Sequence, residues 1–206
     1  MHDASVLVGS LSSLGVALAT PGLVELDEGA DVVLLPTAAA FVGPRRAGLE
    51  LLDVVEPYAR GEVLMVTDRT GAQAEYPARR VAEADLVVLA DGSALHARSV
   101  WRESPVGAAI ARAHQLIAIG ETGSALFDVM VDPRGGAPTS GLGYRHDLVL
   151  TRPAPRDQLT RTRALLGATH PLVVLGDSGI VAGHDTTWRV VAGEVQVSRG
   201  VEPASL

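Results

Sequence analysis

The sequence predicts a three-layer α/β domain built on a doubly wound, mostly parallel sheet. Short apolar runs alternate with helix-length segments, which is typical of parallel strands joined by right-handed crossovers. Three of the runs, DVVLLP, ADLVVLA and QLIAIG, are almost continuously apolar, as expected for strands that are buried on both faces. Aromatic residues make up only 3% of the chain, so Ala, Val, Leu and Ile must fill the core.

Apolar runs bounded by turn residues predict the strands. The N-terminal segment MHDASVLVGS is interpreted as containing the first strand and not as a signal peptide, because it lacks a basic region and a cleavage site. The predicted strands are Ser5–Val8, Val32–Leu35, Glu62–Val66, Leu86–Leu89, Leu116–Ile119, Leu148–Leu150 and Leu172–Leu175.

Helices are predicted between these strands. Ser93 is expected to cap a helix that follows the fourth strand, and Asp157 to cap the last helix. The other predicted helices are Pro44–Arg60, Tyr76–Glu83, Pro105–His114, Ser124–Val131 and Gln158–Leu166.

The C-terminal part of the chain has a different pattern. GIVAGHDTTWRVVAGEVQVSRG alternates apolar and polar residues, with turn signals at Gly183–Asp185 and Ala192–Gly193, which predicts an antiparallel β-meander over residues 176–200. A length of 206 residues fits a single domain, residues 1–206.

Composition excludes several classes of function. The net charge is −7 and all 17 basic residues are Arg, so a nucleic-acid surface, a P-loop lysine and a lysine Schiff base are not expected. The chain has no Cys, and no His pair has metal-ligand spacing. We therefore expect no metal, no cofactor and no membrane span, and a cytoplasmic location. Arg152, Arg156, Arg161 and Arg163 are interpreted as the solvated face of a helix.

Ligands of open α/β sheets bind at the carboxyl ends of the strands, and one such end stands out. Gly120-Glu121-Thr122-Gly123-Ser124 joins the apolar run LIAIG to a predicted helix. A strand, a tight turn and a helix form the setting of a nucleophile elbow, in which a hydroxyl is exposed beside backbone N–H groups. Thr122 and Ser124 are the candidate nucleophiles. An ordinary strand-to-helix connection is the alternative interpretation.

A second turn, Ala90-Asp91-Gly92-Ser93, follows the fourth strand. Its backbone N–H groups could bind an oxyanion, or Ser93 could simply cap the next helix. His96 and His146 are the weak candidates for a general base, since only they are expected near the carboxyl edge of the sheet. Gly176-Asp177-Ser178-Gly179 is interpreted as a two-residue turn without chemistry.

The order of these motifs resembles the peptidase E and cyanophycinase family, which has a class I glutamine-amidotransferase-like, flavodoxin-like fold. The matching segments are VVLLPTAAA, ADLVVLADGSALH, LIAIGETGSAL, DVMVDPRG with GLG, PLVVLGDSGIVAG and WRVVAGEVQV. The resemblance implies a serine hydrolase with a Gly-x-Ser-Ala-Gly-Ala elbow, a Gly-rich turn and a downstream His assisted by a carboxylate.

This chain departs from the family pattern at two catalytic elements. The nucleophile position is Thr122, and Ser124 stands where the family has Gly. The segment expected to carry the catalytic His reads Leu150-Thr151-Arg152-Pro153-Ala154. The Gly-rich turn corresponds to Ala90-Asp91-Gly92.

Two functional hypotheses follow. The first is a protein that has lost serine-hydrolase catalysis and binds a peptide, a small molecule or a protein partner in the inherited cleft around Asp91, Gly92, Ser93 and residues 120–124. The second is an active peptidase or amidase that uses Thr122 or Ser124, with Glu121, Asp91, His96 or His146 recruited as the base. Analogy with the family also implies a homodimer.

Overall fold

The computed structural model describes residues 4–184, 187–200 and 202–206. The helices in these ranges are α1 (Leu11–Ala19), α2 (Pro44–Val55), α3 (Arg69–Gln73), α4 (Glu75–Glu83), α5 (Ala94–Trp101), α6 (Pro105–Ala111) and α7 (Arg156–Leu166), with 3₁₀-helices at Thr37–Ala39 and Gly120–Leu126. The strands are β1 (Ala4–Val8), β2 (Asp31–Leu35), β3 (Arg60–Val63), β4 (Leu86–Leu89), β5 (Gln115–Ile119), β6 (Val129–Val131), β7 (Pro138–Ser140), β8 (Val149–Thr151), β9 (Leu172–Leu175), β10 (Ile180–His184), β11 (Thr187–Ala192), β12 (Val195–Arg199) and β13 (Glu202–Pro203).

The central sheet confirms the predicted fold class. Within the described ranges it has seven strands in the order β11-β10-β1-β5-β4-β2-β3. The five strands from β1 to β3 in this order are parallel to their neighbours, whereas β10 is antiparallel to β1 and β11 is antiparallel to β10. The carboxyl ends of β1, β5, β4 and β2 therefore meet at one edge.

Both faces of this sheet are covered, which gives three layers. Alternate strand residues point to opposite faces. One face packs against Leu14 and Ala17 of α1 and Leu51 and Val55 of α2. The other face packs against the remaining side of the domain, including Val100, Trp101, Val106 and Ile110. The predicted aliphatic core is confirmed, with the fully buried Trp101 as its largest side chain.

Two predicted strands of the parallel sheet belong to a different sheet. The segments predicted at Leu148–Leu150 and Leu172–Leu175 form β8 and β9, which pair in parallel with each other. In the described part of the chain they lie in a four-stranded sheet, β13-β12-β9-β8. The C-terminal strands are antiparallel, as predicted, but β10 and β11 extend the central sheet while β12 pairs with β9. The predicted turn at Gly183–Asp185 lies partly outside the described residues.

The helix predicted over Ser124–Val131 is wrong. The chain forms a 3₁₀-helix over Gly120–Leu126 and becomes extended at Phe127, with φ −82° and ψ 168°. Residues Val129–Val131 then form β6, which pairs with β7. The β-branched Val129 and Val131 favour a strand over a helix.

Asp31, Glu62 and Arg80 form an ion-pair cluster at the amino edge of the sheet. Arg80 lies 2.5 Å from Asp31 and 2.8 Å from Glu62, and its side chain is 17% exposed. The hydrogen bond from Arg80, opposed by burial and reinforced by the charges of Arg80 and Arg60, lowers the pKa of Asp31.

This cluster predicts a pH-dependent contribution to stability. A carboxyl whose pKa is lowered by folding stabilises the protein above its unfolded pKa, about 3.9, and the stabilisation is lost as pH falls through the lower folded pKa. We expect Arg80→Met to lower the free energy of unfolding by about 2 kcal/mol at pH 7 and to flatten its dependence on pH below about 4. Urea denaturation from pH 7 to pH 2.5 measures both effects. Arg79→Met is the control, because Arg79 is exposed and its guanidinium makes only a long contact with Glu83, 4.0 Å, and lies 6.0 Å from the ring centre of Tyr76.

Candidate active site

An open cleft of about 470 Å³ lies at the carboxyl edge of the central sheet. Its floor is formed by residues at the carboxyl ends of β1, β4 and β5, and its walls by the start of α1 and the first two turns of α2. The charged residues that line it are Arg46, Glu50, Asp91, Arg152 and Asp177, and the apolar ones include Leu11, Val42, Leu51 and Ile119. The cleft thus occupies the edge at which open α/β sheets bind ligands.

The floor of the cleft is organised around the carboxylate of Asp91. Its Oδ1 atom accepts hydrogen bonds from the backbone N–H of Gly92 at 2.7 Å and of Glu121 at 2.9 Å. Gly92 has a φ of 146°, and a Cβ atom there would lie 2.3 Å from the carbonyl oxygen of Ala38. The turn therefore requires glycine, and the N–H of Ser93 bonds the same carbonyl at 2.8 Å. These contacts hold the Gly92 N–H toward Asp91.

The sharp turn after β5 has a glycine at its bend. Within residues 120–126, all of them described, only Gly120 has a positive φ, 59°. A Cβ atom on Gly120 would lie 2.1 Å from both Cγ and Oδ1 of Asp91. In a nucleophile elbow a side chain projects from the strained turn. Here that space is filled by the carboxylate of Asp91, which follows the neighbouring strand β4.

The two candidate nucleophiles point into the protein. Thr122 is fully buried, and its hydroxyl donates to the carbonyl of Ala90 at 2.7 Å. Ser124 is 4% exposed, and its hydroxyl donates to the carbonyl of Glu121 at 2.8 Å. Gly123 is packed tightly, since an added Cβ atom would lie 2.8 Å from Leu150. Neither Thr122 nor Ser124 lines the cleft.

The bond from Thr122 to Ala90 ties the turn after β5 to the residue that precedes Asp91. We expect the near-isosteric Thr122→Val to leave the Ala90 carbonyl without this donor and to lower the free energy of unfolding by about 1–3 kcal/mol. Thr122→Ser retains a hydroxyl and removes one methyl group, so it should lose about 1 kcal/mol. Chemical denaturation of both variants distinguishes them. A Thr122→Val variant as stable as the wild type would show that the hydrogen bond from Thr122 to Ala90 does not stabilise the fold.

Glu121 is half-buried beside Asp91. Burial raises the pKa of the Glu121 carboxyl, the Asp91 carboxylate raises it further, and the positive charge of Arg152 acts in the opposite direction. A carboxyl in such surroundings keeps its proton to higher pH than an exposed one. A second carboxyl that resists ionisation therefore lies next to the Asp91 carboxylate, although Glu121 itself is not among the residues that line the cleft.

Arg152 stands at the end of β8, in the segment where the resemblance places a catalytic His. Its guanidinium donates to the carbonyl of Gly9 and to the carboxylate of Asp177. The interpretation of Arg152 as part of a solvated helix face is wrong, because α7 begins only at Arg156. Asp177 lies in the predicted turn, whose Gly179 N–H bonds the Gly176 carbonyl at 2.9 Å, but it also lines the cleft. Both residues were missed as site residues.

The two candidate bases lie outside the cleft lining. His96 is in the first turn of α5, which Ser93 caps as predicted, and its Nε2 donates to the carbonyl of Thr67 at 2.8 Å. His146 donates from Nδ1 to Asp128 at 2.6 Å and is half-exposed. The hydroxyls of Thr122 and Ser124 bond carbonyl oxygens and neither imidazole.

Metal binding and membrane insertion can be assessed over the same ranges. Among residues 4–184, 187–200 and 202–206, no group of three or more His, Asp or Glu side chains is arranged to hold a metal ion. No helix in those ranges combines the length and apolarity needed to cross a bilayer.

Comparison with known proteins identifies the fold. No family model matches the chain, and no curated protein matches its sequence. A crystal structure of a peptidase from an acI-B1 Actinobacterium superposes with a TM-score of 0.75 and 17% identity, over 100% of this chain and 94% of that one. A protein from Listeria monocytogenes EGD-e, provisionally called Peptidase E, superposes with a TM-score of 0.60 and 11% identity, over 97% and 99%. The chain therefore has a peptidase E-like, flavodoxin-like fold.

Proposed function

We propose that the chain binds a small molecule or a peptide in the cleft at Asp91 and does not hydrolyse it. One observation carries the proposal. The open cleft is lined by charged side chains from several elements, whereas the hydroxyls of Thr122 and Ser124 are buried beneath its floor and bonded to backbone carbonyls. The cleft thus offers charged contacts to a ligand, and neither hydroxyl of the turn that the resemblance assigns to the nucleophile lines it.

Hydrolysis through a hydroxyl requires a base that accepts its proton. A carbonyl oxygen bonded to Thr122 or Ser124 cannot take that role at neutral pH. In the segment where the resemblance expects the catalytic His, the basic residue is Arg152, which remains protonated in proteins. The peptidase-like fold supports an ancestry among hydrolases, and these contacts favour loss of the proton acceptor.

The cleft lining favours a ligand that carries charges of both signs. Arg46 and Arg152 supply positive charge, and Leu11 and Val42 supply apolar surface. Negative charge comes from Glu50, Asp91 and Asp177, of which Glu50 pairs with Arg46 and Asp177 pairs with Arg152. A volume of about 470 Å³ lies within the usual range for small-molecule sites, roughly 300–1,000 Å³. A short peptide or an amino-acid derivative combines these properties.

A second candidate function is an active serine- or threonine-type peptidase or amidase. The shared fold with two peptidases favours it, and Ser124 is the less deeply buried of the two hydroxyls. This function would require the turn over residues 120–126 to open and expose a hydroxyl.

The two functions are separated by measuring turnover and binding on the same samples. A panel of dipeptides and aryl esters is tested with the wild type, Thr122→Ala, Ser124→Ala and the control Thr160→Ala, whose hydroxyl also bonds a backbone carbonyl but is exposed. We expect no turnover above buffer, and saturable changes in the amide NMR signals of cleft residues with at least one peptide. Turnover that Thr122→Ala or Ser124→Ala abolishes and Thr160→Ala retains would overturn the proposal.

A further inference from the structure

The two backbone donors on the cleft floor already hold an anion that belongs to the protein. The N–H groups of Gly92 and Glu121 converge on one atom, Asp91 Oδ1, at 2.7 Å and 2.9 Å. Two converging N–H groups beside a strand-to-helix turn are the arrangement that stabilises an oxyanion in acyl transfer. In this chain that arrangement is occupied by a carboxylate.

The occupation is built into the backbone. Asp91 fills the space above Gly120, where an added Cβ atom would lie 2.1–2.3 Å from its carboxylate atoms. Thr122 fastens the turn to Ala90, the residue before Asp91, and Gly92 is held against Ala38. An anionic ligand could reach these amides only by displacing Asp91.

The second carboxylate oxygen of Asp91 has a different environment. No hydrogen bond joins Oδ2 to any group in the described ranges, and Asp91 is exposed to the cleft that it lines. Oδ1 is saturated by two donors, so Oδ2 is the atom that a ligand can reach. A carboxylate oxygen accepts hydrogen bonds, most strongly from a cation.

We propose that Asp91 is the specificity-determining residue of the cleft: it fills the anion hole formed by Gly92 and Glu121 and presents Oδ2 to a cationic ligand group such as a primary ammonium. The inference deepens the proposed function and rests on it for the identity of the site. It assigns the floor of the cleft to the positive end of the ligand. The negative end of the ligand then lies toward Arg46, at the first turn of α2, where it would share the guanidinium with Glu50, 2.7 Å from Arg46 Nε.

The experiment uses two minimal probes on ¹⁵N-labelled protein, methylammonium chloride and sodium formate, at constant ionic strength. The amide signals of Gly92 and Glu121 report on the hole directly. In the wild type, methylammonium should shift both signals and formate should not. In Asp91→Ala, formate should shift both signals saturably and bind roughly tenfold or more tightly than in the wild type, because the emptied hole offers two charge-assisted hydrogen bonds. The response to methylammonium should disappear.

Two further variants separate specific from general effects. Asp53→Ala removes an exposed carboxylate of α2 that does not line the cleft, and it should keep the wild-type pattern at both amides. Asp91→Asn retains the side-chain shape and tests the charge if Asp91→Ala fails to fold: it should lose the methylammonium response and still exclude formate. Formate that leaves both amide signals unmoved in a folded Asp91→Ala protein would overturn the inference, as would a wild type whose amides respond to formate and ignore methylammonium. In another outcome, the wild type binds no peptide while formate binds at the Gly92 and Glu121 amides of Asp91→Ala. That result would contradict the proposed function and leave the role of Asp91 intact.

Discussion

Gly9→Ala is expected to destabilise the protein by roughly 3 kcal/mol or more. Gly9 follows β1 and lies against the turn between β9 and β10, where its N–H bonds the carbonyl of Gly179 at 2.9 Å. A Cβ atom at this position would lie 1.8 Å from the carbonyl oxygen of Gly176 and 2.9 Å from the carbonyl carbon of Asp177. These are backbone atoms, so the neighbouring chain cannot yield by changing a rotamer.

Urea denaturation measures this effect through the midpoint of the transition at an unchanged m-value. Gly15→Ala is the matched control, because Gly15 lies inside α1 and its added Cβ atom would make only an ordinary contact, 3.8 Å from Val54. Alanine is the better helix former, so Gly15→Ala should stabilise the protein by about 0.5–1 kcal/mol. The close-approach argument is wrong if Gly9→Ala is as stable as Gly15→Ala.

Gly120→Ala is expected to lower the free energy of unfolding by roughly 2–4 kcal/mol. One part of the loss comes from the left-handed backbone, with φ 59°, and the other from the overlap of the new Cβ atom with the Asp91 carboxylate. Gly22→Ala isolates the first part, because Gly22 has a φ of 77° and no atom within 4 Å of its Cβ position.

A double-mutant cycle then measures the second part. Asp91→Ala removes the carboxylate that the Cβ atom meets, so the loss from Gly120→Ala should fall toward that of Gly22→Ala in this background. Coupling between contacting residues is the quantity that such a cycle reports. An equal loss in both backgrounds would mean that Asp91 does not occupy the space above Gly120.

Much of the fold could be predicted from the sequence because its central strands are locally distinctive. β2, β4 and β5 are continuous apolar runs, and each lies inside the parallel sheet. The helix cap at Ser93 could also be predicted, because it depends on local sequence alone: the Ser93 hydroxyl accepts a hydrogen bond from the N–H of His96. The placement of β8 and β9 in a second sheet could not be predicted. An apolar run indicates a strand, but it does not determine which other strand it pairs with.

The site was less predictable because its main contacts join distant segments. The Gly-Glu-Thr-Gly-Ser motif indicated the correct turn, but the direction of the Thr122 side chain depends on where the bend falls, and the bend falls at Gly120. Arg152 was read with the helix that follows it, although it precedes α7 and reaches Gly9 and Asp177. The signal that could have indicated Arg152 as a site residue is its position in the segment where the resemblance expects a catalytic His.

The position of β1 in the central sheet also has a consequence for synthesis on the ribosome. β1 pairs with β5 on one side and with β10 on the other, and Ser10 just beyond it bonds Asp177, 167 residues further along. β1 therefore remains unpaired along one edge until β10, which is synthesised much later, has left the ribosome. Pairing between such distant segments slows folding, and an unpaired apolar strand favours aggregation. Nascent chains that stall before residue 180 should accordingly depend on chaperones that shield β1.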